Sequence, residues 1–404
     1  CLNFNCSNKE LEVVKISDPN KEDETEESVI TRPIETPRLE VDGRYLKDPC
    51  GNNVLLHGVA MTPSPWFNGG AVGEWRWNNY DVEGCLDYNK GVMDKLTNTE
   101  EGWYLNYVRL HIDPYWTNNV GVSGISENDI SEFNLERFKL SVDNVIIPLI
   151  KHAKSRGMYV ILRPPGVCPD VIGVDGPYHE YLKIVWGYLS GHPDLKNTDN
   201  VMFELANEPI RIRLPNGTEG ANTQDHFDQL KILFQSLVNL IRENGSNNIL
   251  WIPGSGYQSQ YKGYANNKIE GDNIGYAVHI YPGYWGQDNN NPETFQSNWN
   301  ENIKPVADFA PIAVTEIDWG PEQYGVWGKG GITGVEGGWG FGANFKGLAD
   351  SSGNVSWNLL APENLIDKGA LDGGIAYGSD PDACALPVYT WFKEYASQFL
   401  ACEY

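Results

Sequence analysis

Two glutamates in this sequence follow apolar runs of strand type. Val201-Met202-Phe203-Glu204-Leu205-Ala206 leads into Asn207-Glu208-Pro209, where the proline stops the strand from simply continuing. Ile312-Ala313-Val314-Thr315 leads into Glu316. A carboxylic acid and a carboxylate facing each other are the equipment for breaking an acetal bond. The first protonates the departing oxygen, and the second, about 5–5.5 Å away, attacks carbon. A single strand-end glutamate is usually a solvated rim charge, so the reading depends on elements that bring both to one place.

Those elements are legible along the chain. Short β-rich runs alternate with helical patterns from about residue 40 onward, the signature of parallel βα units. The runs are Val54 to Met61, Tyr104 to His111, Met158 to Arg163, Val201 to Ala206, Ile249 to Pro253, Gly275 to Tyr281, Pro311 to Glu316 and Val355 to Leu360. Several are apolar on both faces, as strands between a packed interior and a ring of helices must be. Helical spacing covers Ser131 to Arg156, Phe227 to Arg242 and Val388 to Leu400. No glycine-rich phosphate fingerprint opens a helix, so the expected fold is α/β, a (β/α)8 TIM barrel, with reactive groups at the C-terminal ends of its strands. Ahead of it, Leu39 to Tyr45 and Asn53 to Leu56 flank the turn Asp48-Pro49-Cys50-Gly51, which predicts a small hairpin under the barrel. The glycine-rich residues 325 to 342 follow strand seven and are expected to form a loop on the active face.

With strands four and seven identified, the chain resembles glycoside hydrolase family 5, the cellulase-like retaining glycosidases. The resemblance spans nearly all of residues 40 to 400. It rests on Tyr107-Val108-Arg109-Leu110, Asn207-Glu208-Pro209, His279-Ile280-Tyr281, Glu316 and Trp357, in order on strands two, four, six, seven and eight. It implies that Glu208 is the acid/base and Glu316 the nucleophile. It further implies that Arg109 and Tyr281 hold the nucleophile, Asn207 binds the sugar 2-hydroxyl, His279 stands beside the acid/base, and Trp357 is the platform of the −1 subsite. The chain departs from the family at the end of strand three, where a histidine usually stands and this sequence reads Leu162-Arg163-Pro164-Pro165-Gly166. Arg163 either replaces that donor at the sugar or braces the site as an ion-pair partner. His111 and Asp113, two residues apart after strand two, are expected to make a rim hydrogen bond rather than half a metal site.

Aromatic residues gather at the same end. Trp66, Trp75, Trp77, Trp116, Trp285, Trp319, Trp327, Trp339 and Trp357 fall at or just after the ends of strand candidates, nine of the 14 tryptophans. Tryptophan faces stack on pyranose rings, and Trp116 and Trp285 are taken as substrate-binding. Tyr115, Tyr257, Tyr261, Tyr284 and Tyr324 would extend such a groove.

Charge limits the partners. Thirty basic against 54 acidic residues give a net charge of −24, which repels phosphate backbones and excludes nucleic acid while suiting an uncharged polymer. The activity that the family resemblance implies is that of a retaining endo-β-1,4-glycanase on β-glucan, expected to be monomeric and to need no cofactor or metal. Mannan and xyloglucan are the alternative substrates, and a non-catalytic glycan-binding surface protein is the alternative class. Residues 1–38, with the run Glu22, Asp23, Glu24, Glu26, Glu27, read as an acidic flexible tether ahead of a catalytic domain at 39–404. Cys1 at the head of the chain resembles the lipidated cysteine of an exported bacterial lipoprotein. The expected location is the outer membrane or cell surface, or otherwise the secreted medium. Cys384 with Cys402 is the favoured disulfide.

Overall fold

The structure is a computed structural model that describes residues 35–65, 67, 81–119, 130–286, 288–325, 330–335, 339–367, 374–400 and 402. Among them, eight parallel strands close a barrel in sequence order: His57–Met61, Tyr107–His111, Tyr159–Arg163, Val201–Glu204, Leu250–Pro253, Ile274–Ile280, Ile312–Ile317 and Val355–Leu359. Each matches an expected run, shortened or shifted by one to three residues at its ends. Every residue in them is buried, because helices cover the outer face and side chains fill the inner one.

Alternation along the strands sorts the side chains into two populations. Val108, Leu110, Val160, Phe203, Val278, Val314 and Trp357 face the helices in one large cluster. Tyr107, Tyr159, Ile161, Met202, Trp251, Ala277 and Ala313 fill the barrel, joined from below by Leu39, Leu46, Val54 and Leu56. Further along the same inward rows come Arg109, Glu204, His279, Thr315 and Asn358, all wholly buried. The interior is thus apolar at the bottom and polar at the C-terminal face.

Three expectations need correction. The segment Leu39 to Tyr45 is not one extended run. It turns at Gly43 (φ 58), so that Glu40–Asp42 pairs with Tyr45–Lys47, and the chain turns again at 48–51 before Val54 N–H reaches the Leu46 carbonyl. The helix expected over Ser131 to Arg156 begins at Leu135, capped by Asn134, and is interrupted by a π-helical segment at Val142–Ile146. Pro148 has no N–H to give to the turn behind it, and the wider segment accommodates that. The disulfide is Cys50–Cys402, with a Cα separation of 5.6 Å, and Cys384 is a buried free thiol. The last helix, Ala385–Ser397, lies between Cys384 and Cys402 and spans about 20 Å, too far for a bond.

The tether expected over 1–38 falls mostly outside the described residues, as do Cys1, Trp66, Trp75, Trp77 and Trp327. Residues 36–38 belong to the folded body: Thr36 is buried, the Pro37 carbonyl accepts the Tyr159 hydroxyl at 2.6 Å, and Arg38 reaches the Asn197 carbonyl at 3.3 Å. A small three-stranded sheet, Val171–Ile172, Arg211–Arg213 and Glu219–Gly220, joins the loops after strands three and four and has no counterpart in the sequence reading. Among the described residues no helix is long and apolar enough to cross a membrane.

The Cys50–Cys402 bond closes a loop of 352 residues, so its loss frees nearly the whole chain when unfolded. Cys402→Ser is expected to lower unfolding free energy by about 3–5 kcal/mol in guanidinium titrations, and dithiothreitol to shift the wild type to the same midpoint.

Candidate active site

Arg109, on strand two, reaches the centre of the polar layer. Its Nε donates to Glu204 Oε2 at 2.5 Å and its Nη2 to Glu204 Oε1 at 3.0 Å, a forked pair that fixes the guanidinium plane. The remaining edge points up the barrel, where Nη1 donates to Glu316 Oε1 at 2.7 Å and Nη2 to Asn207 Oδ1 at 2.6 Å. Burial alone would make the guanidinium easier to deprotonate, but the two carboxylates outweigh it and raise the pKa. Glu204 also accepts from Gln258 Nε2 at 2.7 Å and Thr315 Oγ1 at 3.0 Å.

Glu316 reaches this place through a break in the strand. The pairing of strand six with strand seven runs Val278 to Val314 and then His279 to Glu316, skipping Thr315. Strict alternation would send Glu316 outward with Ile312 and Val314. The bulge turns both Thr315 and Glu316 into the barrel. There Glu316 accepts from Arg109 and, on Oε2, from the Tyr281 hydroxyl at 2.8 Å. Burial pushes its carboxyl up, but His279, Arg109 with its hydrogen bond, and Arg163 together hold it down at about 2. The Tyr281 hydroxyl, pushed well above its ordinary value by burial and by Glu316, keeps its proton to donate.

Glu208 comes from the loop after strand four, with backbone φ of 56. Its Oε1 lies 3.0 Å from His279 Nδ1 and 3.3 Å from the Tyr284 hydroxyl. His279 Nδ1 is also 3.4 Å from Glu316 Oε2. His279 Nε2 faces Arg109 Nη2 at 3.4 Å, which can only donate, so the partners assign the hydrogen to Nδ1 and direct it at Glu208. One oxygen each of Glu208 and Glu316, together with a His279 ring nitrogen, lie within 4.8 Å of one another. Two carboxyl groups are therefore held at one mouth, the Glu316 carboxyl ionised between fixed donors and the Glu208 carboxyl facing the same His279 Nδ1. That arrangement can hand a proton to a departing oxygen while a nucleophile attacks from the other face.

A sequence model described as Cellulase (glycosyl hydrolase family 5) matches residues 71–321. The chain belongs to glycoside hydrolase family 5. An endoglucanase of Bacillus sp. (strain KSM-635) is 29% identical over 298 residues, which cover 70% of this chain and 27% of that relative. This chain thus spans about a quarter of the relative's length. A β-glucanase from Saccharophagus degradans, solved in complex with cellotetraose, superimposes with a TM-score of 0.58 at 18% identity, covering 89% of this chain and 93% of that one. An endocellulase from Pyrococcus horikoshii gives a TM-score of 0.55 at 15% identity, covering 90% of this chain and 99% of that one. At such identities the superpositions speak to the barrel alone.

Of the residues assigned by resemblance to the family, Arg109, Asn207, Glu208, His279, Tyr281 and Glu316 meet in one hydrogen-bonded cluster. Trp357 does not. It faces the helices, wholly buried between Phe345, Phe392 and His57, because it shares the outward parity of Val355 and Leu359, while its neighbour Asn358 faces in. Trp116 is also buried, donating to the Pro63 carbonyl at 2.7 Å, and Trp319 packs under the loop with its indole N–H on Thr333. Trp285 is half-buried beside Tyr284, and Trp339 is 50% exposed. Tyr261 is core, Tyr324 is tied to Asp380, and Tyr115 is half-buried, its N–H held by Asp113, whereas Tyr257 is 48% exposed at the mouth.

Arg163 points up the barrel from strand three, donating to the Pro164 and Gly166 carbonyls, with Nη2 2.9 Å from His111 Nδ1. Its charge is also among those that hold the Glu316 carboxyl below its ordinary value. His111 stands between guanidiniums, with Nε2 2.9 Å from Arg109 Nη1 and Nδ1 2.9 Å from Thr62 Oγ1. Burial, Arg163, Arg109 and His279 push its pKa well below the usual value, so the ring is neutral. A neutral ring has one acceptor nitrogen and two guanidiniums facing it, so His111 accepts from one of Arg109 and Arg163 and not from both. Asp113 caps the helix Pro114–Thr117 rather than pairing with His111.

Sequence reading passed over Glu204 and Gln258. The signal for Glu204 was an acid two residues beyond Met202, on its inward row; Gln258 left none.

Arg109→Met leaves Glu204 buried without its cation and is expected to lower stability by about 3–5 kcal/mol in urea titrations. Tyr281→Phe removes one donor from Glu316. Because the Glu316 pKa is depressed, its ionised form contributes stability in full above about 4.5 and loses it as pH falls towards about 2. In the variant the acid limb of kcat/KM should move to higher pH.

Proposed function

We propose that this chain is a retaining, endo-acting β-1,4-glycanase whose substrate is a β-glucan. The observation that carries the reading is the pair Glu208 and Glu316, delivered from strands four and seven with carboxylate oxygens within 4.8 Å. So close an approach suits attack by a carboxylate on the anomeric carbon and favours the short retaining separation over the roughly 6.5–9.5 Å of an inverting pair.

In the first step Glu316 Oε forms a bond to the anomeric carbon as the glycosidic C–O bond breaks, and Glu208 gives its proton to the departing oxygen. Arg109 and Tyr281 keep the nucleophile charged and aimed. In the second step Glu208 takes a proton from water, the water oxygen bonds to the anomeric carbon, and Glu316 leaves as carboxylate. Asn207 Oδ1 is occupied by Arg109, so what Asn207 offers a sugar hydroxyl is its N–H.

Neutral recognition supports a glucan. The protein carries a net charge of −24, and Tyr257, Trp285 and Trp339, in the segments after strands five, six and seven, are exposed or half-buried aromatics of the kind that stack on pyranose rings. The relative solved with cellotetraose supports the same choice by analogy. The Cys50–Cys402 disulfide supports export to an oxidising compartment.

The test is product analysis on carboxymethylcellulose, mannan, xyloglucan and xylan, with proton NMR of the first-formed anomer. Internal cleavage of the glucan with a β-configured product is expected. Preferential attack on mannan or xyloglucan would move the substrate assignment, and an α-configured product would refute retention. Glu316→Ala is expected to lower kcat on the preferred polymer by at least about 10⁴-fold.

A further inference from the structure

Gln258 lies in the loop after strand five, wholly buried and with backbone φ of 61. Both ends of its amide are engaged. Oε1 accepts the backbone N–H of Glu208 at 2.8 Å, and Nε2 donates to Glu204 Oε1 at 2.7 Å and to the Ala277 carbonyl at 3.2 Å. A backbone N–H only donates and a carboxylate only accepts, so one orientation of the amide fits. Its own carbonyl accepts the backbone N–H of His279 at 2.9 Å. One side chain and its peptide thus touch the ends of strands four and six.

What it grips is unusual. Glu208 sits in the left-handed region, which a non-glycine residue leaves unless its surroundings over-determine it. On the far side of Glu208, the N–H groups of Tyr257 and Gly256 donate to the carbonyls of Pro209 and Ile210 at 3.1 and 3.0 Å. Gln258 supplies the hold on Glu208 itself. In that backbone conformation the Glu208 carboxyl reaches both His279 and Tyr284.

We infer that Gln258 is a positioning residue for the acid/base: it locks the Glu208 backbone and, through Glu204 and Arg109, registers that carboxyl against Glu316. The chain of hydrogen bonds from the Glu208 backbone to Gln258, Glu204, Arg109 and Glu316 is continuous. This inference rests on reading Glu208 as the group that protonates the leaving oxygen.

The test separates proton donation from the rest of catalysis. Gln258→Met keeps a similar volume and loses both polar ends. Cellotetraose needs a proton on its leaving oxygen, whereas 2,4-dinitrophenyl β-cellobioside expels a stable phenolate without one. For the variant, kcat/KM on cellotetraose is expected to fall about 100-fold, and the ratio of that value to the one for the dinitrophenyl substrate at least about tenfold. Its crystal structure is expected to show Glu208 at negative φ and out of contact with His279. Equal losses on both substrates, no loss on either, or unchanged Glu208 geometry would each overturn the inference. Should the methionine variant not fold, Gln258→Glu serves. Its protonated form can keep the bonds to the Glu208 N–H and to Glu204, and its ionised form repels Glu204, so the substrate ratio should fall below that of the wild type as pH rises. A ratio that follows the wild type throughout would overturn the inference. If the wild type cleaves neither substrate the glycanase reading fails, and the Glu208 geometry in the variant still decides whether Gln258 holds it.

Discussion

Taking a guanidinium out of water costs several kcal/mol, and Arg109 is removed from water completely. Its burial is tolerable because the carboxyl groups of Glu204 below and Glu316 above are both in contact with it. The constraint runs in both directions. Glu204 takes two hydrogen bonds from the fork and so sets its plane, and the plane determines where the remaining hydrogens point. They point at Glu316 and Asn207, which stand on different strands. The positions of Glu316 and of Asn207, which precedes Glu208, are therefore referred to one rigid planar group.

The barrel that surrounds this ion pair was legible because its strands are apolar on both faces, a pattern that survives any uncertainty about their ends. The site was legible less directly. Arg109, His279 and Tyr281 sit on the inward rows that alternation predicts, next to Tyr107 and Ala277. Glu316 does not. Counting from Ile312 and Val314 it belongs on the helix side, and only the bulge at Thr315 brings it in. Its place at the end of an apolar run, taken together with Glu208, pointed to it where periodicity alone misdirects. Glu204 failed to stand out for the opposite reason: it obeys alternation perfectly, as the one acid in an otherwise apolar strand.

The tryptophans carry a related lesson. Their positions after strand ends suggested a groove, yet Trp116, Trp319 and Trp357 are buried. A large aromatic beneath a loop removes more surface from water than one beside a ligand, and its indole N–H can still find a carbonyl or hydroxyl, as Trp116 and Trp319 do. Position along the chain does not separate the two uses; parity does so for Trp357, which precedes the inward-facing Asn358. Disulfide pairing was illegible for a similar reason. Nearness in sequence favoured Cys384, but the last helix carries the chain from one end of the barrel to the other, and Cys50 in the hairpin region is what waits there.

The assignment of roles to the two carboxylates follows from the asymmetry of their partners. Glu316 accepts from a guanidinium that never loses its charge and from a phenol that keeps its proton. Both donors favour the ionised form, so a proton placed on Glu316 would have to compete with them. Among the described residues no guanidinium bonds the Glu208 carboxyl; its oxygen meets His279 Nδ1 and the Tyr284 hydroxyl. Exchanging the roles would require a proton to sit on the carboxyl bonded to Arg109 and leave its charge to be balanced by Glu204 alone. In the proposed mechanism the acid is therefore Glu208 and the nucleophile Glu316, an order that the donor geometry supports independently of any related sequence.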